Sequence, residues 1–284
     1  MLGAIEAGGT KFVCAVSDND LNNINKISIP TTTPEETFSK VFDFFDEYTL
    51  DAIGIGSFGP IDINPESDTY GYITSTPKTA WKHTDFIGAI KERYSIPVGW
   101  TTDVNAAALG ELTKGAALEN DSCLYLTVGT GIGGGAVVNG KVLEGFGHPE
   151  VGHILVRRHE KDTFEGFCPY HKDCLEGLAA GPAIEQRYNK KAQDLPEDSE
   201  AWDIEAYYLA QALVSYTLTL SPEKIILGGG VMKQKQLLPM IREKFAALLN
   251  DYVSTPDLEE YIVSPELGDD AGVTGCLLLA LEEL

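Results

Sequence analysis

Ala4-Ile5-Glu6-Ala7-Gly8-Gly9-Thr10-Lys11-Phe12-Val13-Cys14-Ala15-Val16 and Leu124-Tyr125-Leu126-Thr127-Val128-Gly129-Thr130-Gly131-Ile132-Gly133-Gly134-Gly135-Ala136-Val137-Val138 share one shape: an apolar run, a glycine-rich turn and a second apolar run. Short apolar runs bounded by glycine read as strands, so each copy reads as two strands joined by a turn. Glycine has no Cβ, so such turns can adopt positive φ and bring backbone amides close to a ligand. The repetition points to a duplicated domain with two glycine turns facing one cleft. Outward from these stretches, apolar runs alternate with helical ones: Ala52 to Gly56 follows segment 35–48, and Ile225 to Leu227 follows segment 203–220. That alternation gives an α/β class. In 35–48 the spacing puts Phe38, Val41, Phe42 and Phe45 on one helical face, after Thr33 as N-cap and Pro34 as the first helical residue.

The 284 residues can bury a sizeable core, in one large domain or two smaller ones. With 43 acidic against 21 basic residues the formal net charge is -22. Such a field repels phosphate backbones and anionic lipid, which argues against nucleic acid and membrane surfaces as partners. It also repels ATP, so a nucleotide site here needs backbone amides, a lysine or a divalent cation to reverse the local potential. Met1-Leu2-Gly3-Ala4-Ile5-Glu6 is not a signal-peptide start, and no run approaches the length of a membrane span, so the cytoplasm is expected. Five cysteines in a reducing compartment argue against a disulfide framework, and Cys14, Cys123 and Cys276, in apolar segments, read as core.

The glycine turns offer amides to an anion, and Thr10, Lys11 and Thr130 add two hydroxyls and a cation. Ordinary hairpins are the alternative for either turn alone; two of them, with Gly228-Gly229-Gly230 after Ile225-Ile226-Leu227, favour a nucleotide. Neither turn has Walker A spacing or the strand-to-helix setting of a Rossmann site. Asp103, in Thr101-Thr102-Asp103-Val104-Asn105, falls at a strand end or a helix N-terminus. There it is either an N-cap or a carboxylate able to take a proton from an attacking hydroxyl.

Cys168-Pro169-Tyr170-His171-Lys172-Asp173-Cys174 spaces three ligands of suitable softness three apart, and His148, His153 and His159 lie upstream. Two thiolates and two imidazoles would close a tetrahedral zinc site with no open position, which makes the zinc structural; His153 is taken as the fourth ligand with the other two histidines left open. Glu150 and Glu176 flank this cluster and are either solvated or held by it as acceptors for sugar hydroxyls.

Glu6-Ala7-Gly8-Gly9-Thr10-Lys11, Gly129 to Gly135, Glu150-Val151-Gly152-His153 and Ile226-Leu227-Gly228-Gly229-Gly230-Val231 together resemble the ROK family of bacterial sugar kinases and repressors, and within it the zinc-containing fructokinase group. The resemblance spans nearly the whole chain. It implies an actin-like ATPase (ribonuclease H-like) fold of duplicated domains around a central cleft: 1–120 with about 270–284 as a small α/β domain, and 121–269 as a large one carrying the zinc loop. It implies Asp103 as catalytic base, with Gly8, Gly9, Thr10, Lys11, Thr130 and Gly131 cradling the ATP phosphates and Pro182, Gly229 and Gly230 by the nucleoside. On the sugar side it implies Asp103, Glu150, His153 and Glu176, with His153 also a zinc ligand beside Cys168, His171 and Cys174, and Glu6 holding magnesium through water. A homodimer is implied as well. Many members have Asp at the place of Glu6, Asn at that of Thr102 and a C-x-C-G-x-x-G-C cluster at that of C-x-x-H-x-x-C. These departures, and Thr76-Pro77-Lys78-Thr79-Ala80-Trp81, resemble the fructokinase group.

The expected reaction is therefore in-line transfer from ATP to a hexose hydroxyl, fructose first, giving fructose 6-phosphate. The rivals are a glucose, mannose or amino-sugar kinase of the same fold, a non-catalytic sugar-sensing protein, and a zinc-stabilised α/β domain that binds no nucleotide.

Overall fold

The structure is a computed structural model that describes residues 1–22 and 25–284. The chain forms two units, Met1–Leu118 with Lys141–Pro149 and Glu266–Leu284, and Glu119–Gly140 with Glu150–Pro265. In the first, the strands run in the order Asn25–Pro30, Lys11–Ser17, Leu2–Ala7, Ala52–Ser57, Val98–Thr102. The first two pairings are antiparallel and the other two parallel. In the second, Ile132–Val138, Cys123–Val128, Lys224–Gly228 and Ile262–Val263 follow one another, the first pairing antiparallel and the rest parallel. Leu2–Ala7 and Cys123–Val128 thus hold the same place, each between an antiparallel hairpin partner and a parallel neighbour. The sequence repeat is a repeated topology.

Ala52–Ser57 and Val98–Thr102 are buried along their whole length, because parallel strands are covered on both faces. Part of that cover is the helix Ala271–Glu282, which lies on Ala52–Ser57 and against the helix Asp103–Lys114. Glycine permits the approach: a Cβ on Gly54 would overlap the Cys276 carbonyl, and one on Gly275 the Ala106 carbonyl. The helix Pro34–Phe45 starts as read, with Thr33 Oγ1 accepting from the Glu36 N–H at 3.4 Å. It stops short of Tyr48, whose N–H closes a turn on the Phe45 carbonyl at 3.0 Å. Phe38, Val41 and Phe45 are buried in an aromatic core with Phe12, Trp81 and Phe86. All five cysteines are buried and none forms a disulfide.

In the second unit the irregular chain after His153 is held from behind by a buried ion pair. Arg187 donates to Asp162 through Nε at 3.1 Å and Nη2 at 3.0 Å, and Tyr208 Oη donates to Asp162 at 2.6 Å. Burial works to raise the Asp162 carboxyl, yet these bonds and one from the Phe164 N–H hold it below the usual carboxylate range. Among the described residues no helix is long and apolar enough to cross a membrane.

Gly275→Ala places a methyl against backbone with nowhere to move, so the variant should lose roughly 1 to 3 kcal/mol of stability. A fall in the urea midpoint at unchanged slope checks this; an unchanged midpoint would mean that the two helices are not in the contact described.

Candidate active site

The strand Leu2–Ala7 ends at Gly8, whose N–H donates to the Lys11 carbonyl at 3.0 Å. A Cβ there would lie 2.7 Å from that carbonyl oxygen, so the turn closes this tightly only with glycine. The following strand braces it: the Thr31 N–H donates to the Thr10 carbonyl at 3.0 Å and Thr31 Oγ1 to the Gly8 carbonyl at 2.7 Å. Thr10 and Lys11 are left exposed beside Gly8 and Gly9.

Asp103 is the first residue of the helix Asp103–Lys114. The N-cap position belongs to Thr102, whose Oγ1 accepts from the Asn105 N–H at 3.1 Å. The capping role weighed for Asp103 is therefore filled by its neighbour, and Asp103 Oδ1 accepts from the Val104 N–H at 2.9 Å. Burial pushes the Asp103 carboxyl up to about 6, although the backbone N–H groups of Val104 and Asp103 pull the other way. Glu6 shares this surrounding: burial, then the charge of Asp103, push it up to about 7, with Lys11 opposing and Asp270 and Asp269 adding to the rise. Its Oε2 is buried with no hydrogen-bond partner. An orphaned carboxylate oxygen among further carboxylates is a donor set for a hard divalent cation, so Glu6 fits magnesium.

In the second unit the Gly129 N–H donates to the Gly131 carbonyl at 2.9 Å, and the Gly181 N–H donates to the Gly129 carbonyl at 2.7 Å. The latter bond seats the start of the helix Gly181–Tyr188, with Pro182 in its first turn, against the glycine turn. Gly229 has φ 93° and a Cβ on it would overlap Val128, while the Gly230 nitrogen is 3.8 Å from where a Gly129 Cβ would be. Thr130, Gly131, Pro182, Gly229 and Gly230, distant in sequence, are thus brought together.

The four expected zinc ligands also meet: one donor atom each from His153, Cys168, His171 and Cys174 lie within 4.8 Å of one another. His153 Nδ1 is 3.7 Å from Cys168 Sγ and 3.5 Å from Cys174 Sγ, and His171 Nδ1 is 3.9 Å from Cys168 Sγ. A tetrahedron with zinc–ligand arms of about 2.0 to 2.3 Å has edges of about 3.3 to 3.8 Å; both His153–thiol spacings fall in that range and the His171–Cys168 spacing lies just above it, so the donor set suits that ion. The knuckle is built by paired bonds between Cys168 and Lys172, the Lys172 N–H donating at 2.9 Å and the Cys168 N–H at 3.3 Å. His148 and His159 are engaged elsewhere: Ile61 N–H donates to His148 Nε2 at 3.1 Å, and Lys161 N–H to His159 Nδ1 at 3.2 Å. Glu176 Oε1 is 3.9 Å from His153 Nε2, and Glu176 Oε2 accepts from the Ile132 N–H at 3.0 Å. Glu150 is exposed, its carbonyl accepting from the His153 N–H at 3.1 Å.

The family model described as ROK matches residues 2–283. The chain belongs to the ROK family. Fructokinase of Pediococcus pentosaceus is 52% identical over 280 residues, covering 99% of this chain and 97% of that protein. The ROK hexokinase of Thermus thermophilus superposes with a TM-score of 0.82 at 27% identity, covering 99% of this chain and 98% of that one. A ROK glucokinase from Streptomyces griseus, solved in complex with glucose and AMPPNP, gives 0.75 at 25% identity over 99% and 98% of the two chains.

Within this ROK chain, two contacts escape a reading of motifs. Glu176 reaches the second glycine turn through Ile132, and Asp269 and Asp270 bear on Glu6 from the far end of the sequence. Only the placement of the helix Ala271–Glu282 on the first sheet could have revealed the second.

The carboxyl of Asp103 gives a stability signature. Its folded value, about 6, exceeds the ordinary 3.8, so the unfolded chain releases the proton first as pH rises. The penalty is absent below about pH 4, grows between about 4 and 6 and is constant above. Asp103→Asn should therefore stabilise the protein at pH 7 by up to about 3 kcal/mol, with the gain gone at pH 4. Denaturation at both pH values tests it; an equal effect at the two would show that Asp103 is not buried as described.

Zinc analysis of the purified chain should give one ion per chain, and His171→Ala, at the exposed corner, should reduce the affinity with the fold kept. Wild-type protein without zinc, and with no gain in thermal midpoint on adding it, would remove the metal.

Proposed function

We propose that the protein transfers the terminal phosphoryl group of ATP to a hydroxyl of a hexose, with fructose as the substrate and fructose 6-phosphate as the product. The observation that carries the reading is Asp103: a carboxylate at a helix start, spared from capping by Thr102, pushed up to about 6, in the same unit as an anion-accepting glycine turn. A general base works best with a pKa near the working pH. The 52% identity with a fructokinase over nearly the full length supports the choice of sugar, and the AMPPNP-bound relative supports the nucleotide.

In the proposed step, ionised Asp103 accepts the proton of the sugar hydroxyl. The hydroxyl oxygen forms a bond to the γ-phosphorus while the bond from phosphorus to the bridging oxygen breaks, and that oxygen leaves with ADP. Amides of Gly8, Gly9 and Gly131, the hydroxyls of Thr10 and Thr130 and the ammonium of Lys11 hold phosphate oxygens and offset charge that builds in the transition state. Pro182, Gly229 and Gly230 are assigned to the nucleoside. Glu6 would hold a magnesium ion, which when bound neutralises phosphate charge. Glu150, His153 and Glu176 are assigned to the sugar hydroxyls, with Glu176 kept in place by the Ile132 N–H. Cys168, Cys174, His153 and His171 would hold a structural zinc ion.

ADP release with magnesium and ATP, measured over fructose, glucose, mannose and N-acetylated hexosamines, should be fastest with fructose. It should rise with pH through about 6 as Asp103 ionises. Asp103→Asn should lower turnover by on the order of 10²-fold or more. Preference for another sugar replaces the substrate within the same chemistry; no sugar-dependent ADP in the wild type leaves a sugar-sensing or nucleotide-free protein.

A further inference from the structure

The loop 74–81 takes no part in the site described so far, yet it lays a lysine across the first glycine turn. A Cβ on Gly9 would lie 2.9 Å from Lys78 Cε and 3.8 Å from Nζ, so the aliphatic stem crosses the turn where glycine leaves room. The placement is built rather than incidental. Lys78 offers its carbonyl to the Trp81 N–H at 2.8 Å, and Trp81 is buried in the aromatic core with its ring 5.2 Å from that of Phe12. The Trp81 indole N–H donates to the Thr32 carbonyl at 2.7 Å. Its neighbour Thr31 is the residue that braces Gly8 and Thr10. One short segment therefore fixes both the loop that carries Lys78 and the turn beneath it.

Charge makes the arrangement informative. The chain has 43 carboxylate side chains, yet among the described residues none forms an ion pair or hydrogen bond with the Lys78 ammonium. A half-buried lysine held over a turn of backbone amides, and not neutralised by the protein, is placed for an external anion. We propose that Lys78 is a second phosphate-holding lysine beside Lys11, taking terminal phosphate oxygens of the nucleotide. The assignment rests on the kinase reading, which supplies the triphosphate. The lysine is a compact point charge that follows the phosphate as negative charge redistributes, and its stem needs no carboxylate to hold it.

The test uses the full chain and four forms: wild type, Lys78→Met, Lys78→Arg and, as a control of equal charge change on the exposed face of the helix Pro34–Phe45, Lys40→Met. Calorimetry with inorganic tripolyphosphate reads phosphate binding without a sugar, and steady-state kinetics read ATP and fructose separately. Lys78→Met keeps the length of the stem and removes the charge. It should weaken tripolyphosphate binding and raise KM for ATP by on the order of tenfold, with KM for fructose within about twofold and Lys78→Arg recovering most of the loss. Lys40→Met should match the wild type. Tripolyphosphate that does not bind the wild type, or binds Lys78→Met equally well, overturns the proposal, as does a change confined to KM for fructose. A wild type that binds tripolyphosphate through Lys78 but forms no ADP with any sugar sinks the kinase reading and leaves this one standing. If Lys78→Met fails to fold, Lys78→Gln takes its place under the same criteria.

Discussion

A polyanion within about a Debye length of a chain of net charge -22 meets repulsion, and a bound triphosphate has to be held by donors that reverse the potential locally. Backbone amides do this without adding a side chain, provided the backbone itself can come close. That condition explains where glycine is spent. At Gly8 a Cβ would press on the Lys11 carbonyl, at Gly131 on the Glu176 carboxylate and at Gly229 on Val128. Each of these glycines follows a strand of one of the two sheets, so the sheets act as rigid mounts from which the turns project. The duplicated topology then has a physical reading: one solution for presenting amides at a strand end is used in both units.

The same electrostatics set a cost on the carboxylates. Asp103 and Glu6 lie half-buried near one another, and each is pushed upward by loss of solvent, Glu6 further by the charge of Asp103. A fold selected for stability alone would replace one of them with a neutral group. On the proposed kinase reading this position suits a proton acceptor and a cation ligand, because both tasks need a carboxylate that is poorly solvated and incompletely paired. Asp162 in the second unit shows the contrast. It is buried, but Arg187 and Tyr208 satisfy it and it stays below the usual range. One carboxylate is satisfied by its neighbours and acts as a fastening, and the other two are left poorly paired.

Much of this was legible in the residue order. The strand–turn–strand pairs, the helix after Thr33, the cysteine–histidine spacing and Asp103 before a helical run depend on neighbours within a few positions, and local chemistry decides them. The end of the first helix was misread because Glu47 and Tyr48 fit the helical pattern, while the backbone turns away on the Phe45 carbonyl. The choice of His153 over His148 and His159 could not be made from spacing. It follows from Gly152, where a Cβ would overlap the Ile132 carbonyl and which thereby lets the turn Val151–His153 lie on the second hairpin. The crossing of Lys78 over Gly9 likewise depends on Trp81 reaching Thr32, a contact between residues 49 positions apart that no local pattern encodes.

The four candidate zinc donors and the second glycine turn are joined through a single side chain, and this bears on what a structural metal bound there would do. Glu176 stands two residues after Cys174, in the helix Leu175–Ala179 that the knuckle leads into. One of its oxygens accepts from the Ile132 N–H and the other faces His153, whose opposite ring nitrogen points at the two thiols. A metal-bound imidazole with its second nitrogen facing a carboxylate has its tautomer and ring plane fixed, and the carboxylate is oriented in return. With zinc bound, holding the four donors together would fix the position of Glu176, and with it the closure of the turn at Gly131 and Ile132. An ion with no open coordination position would then matter to a site at which it does no chemistry, by limiting the freedom of Glu176, which faces both the ligand His153 and the glycine turn.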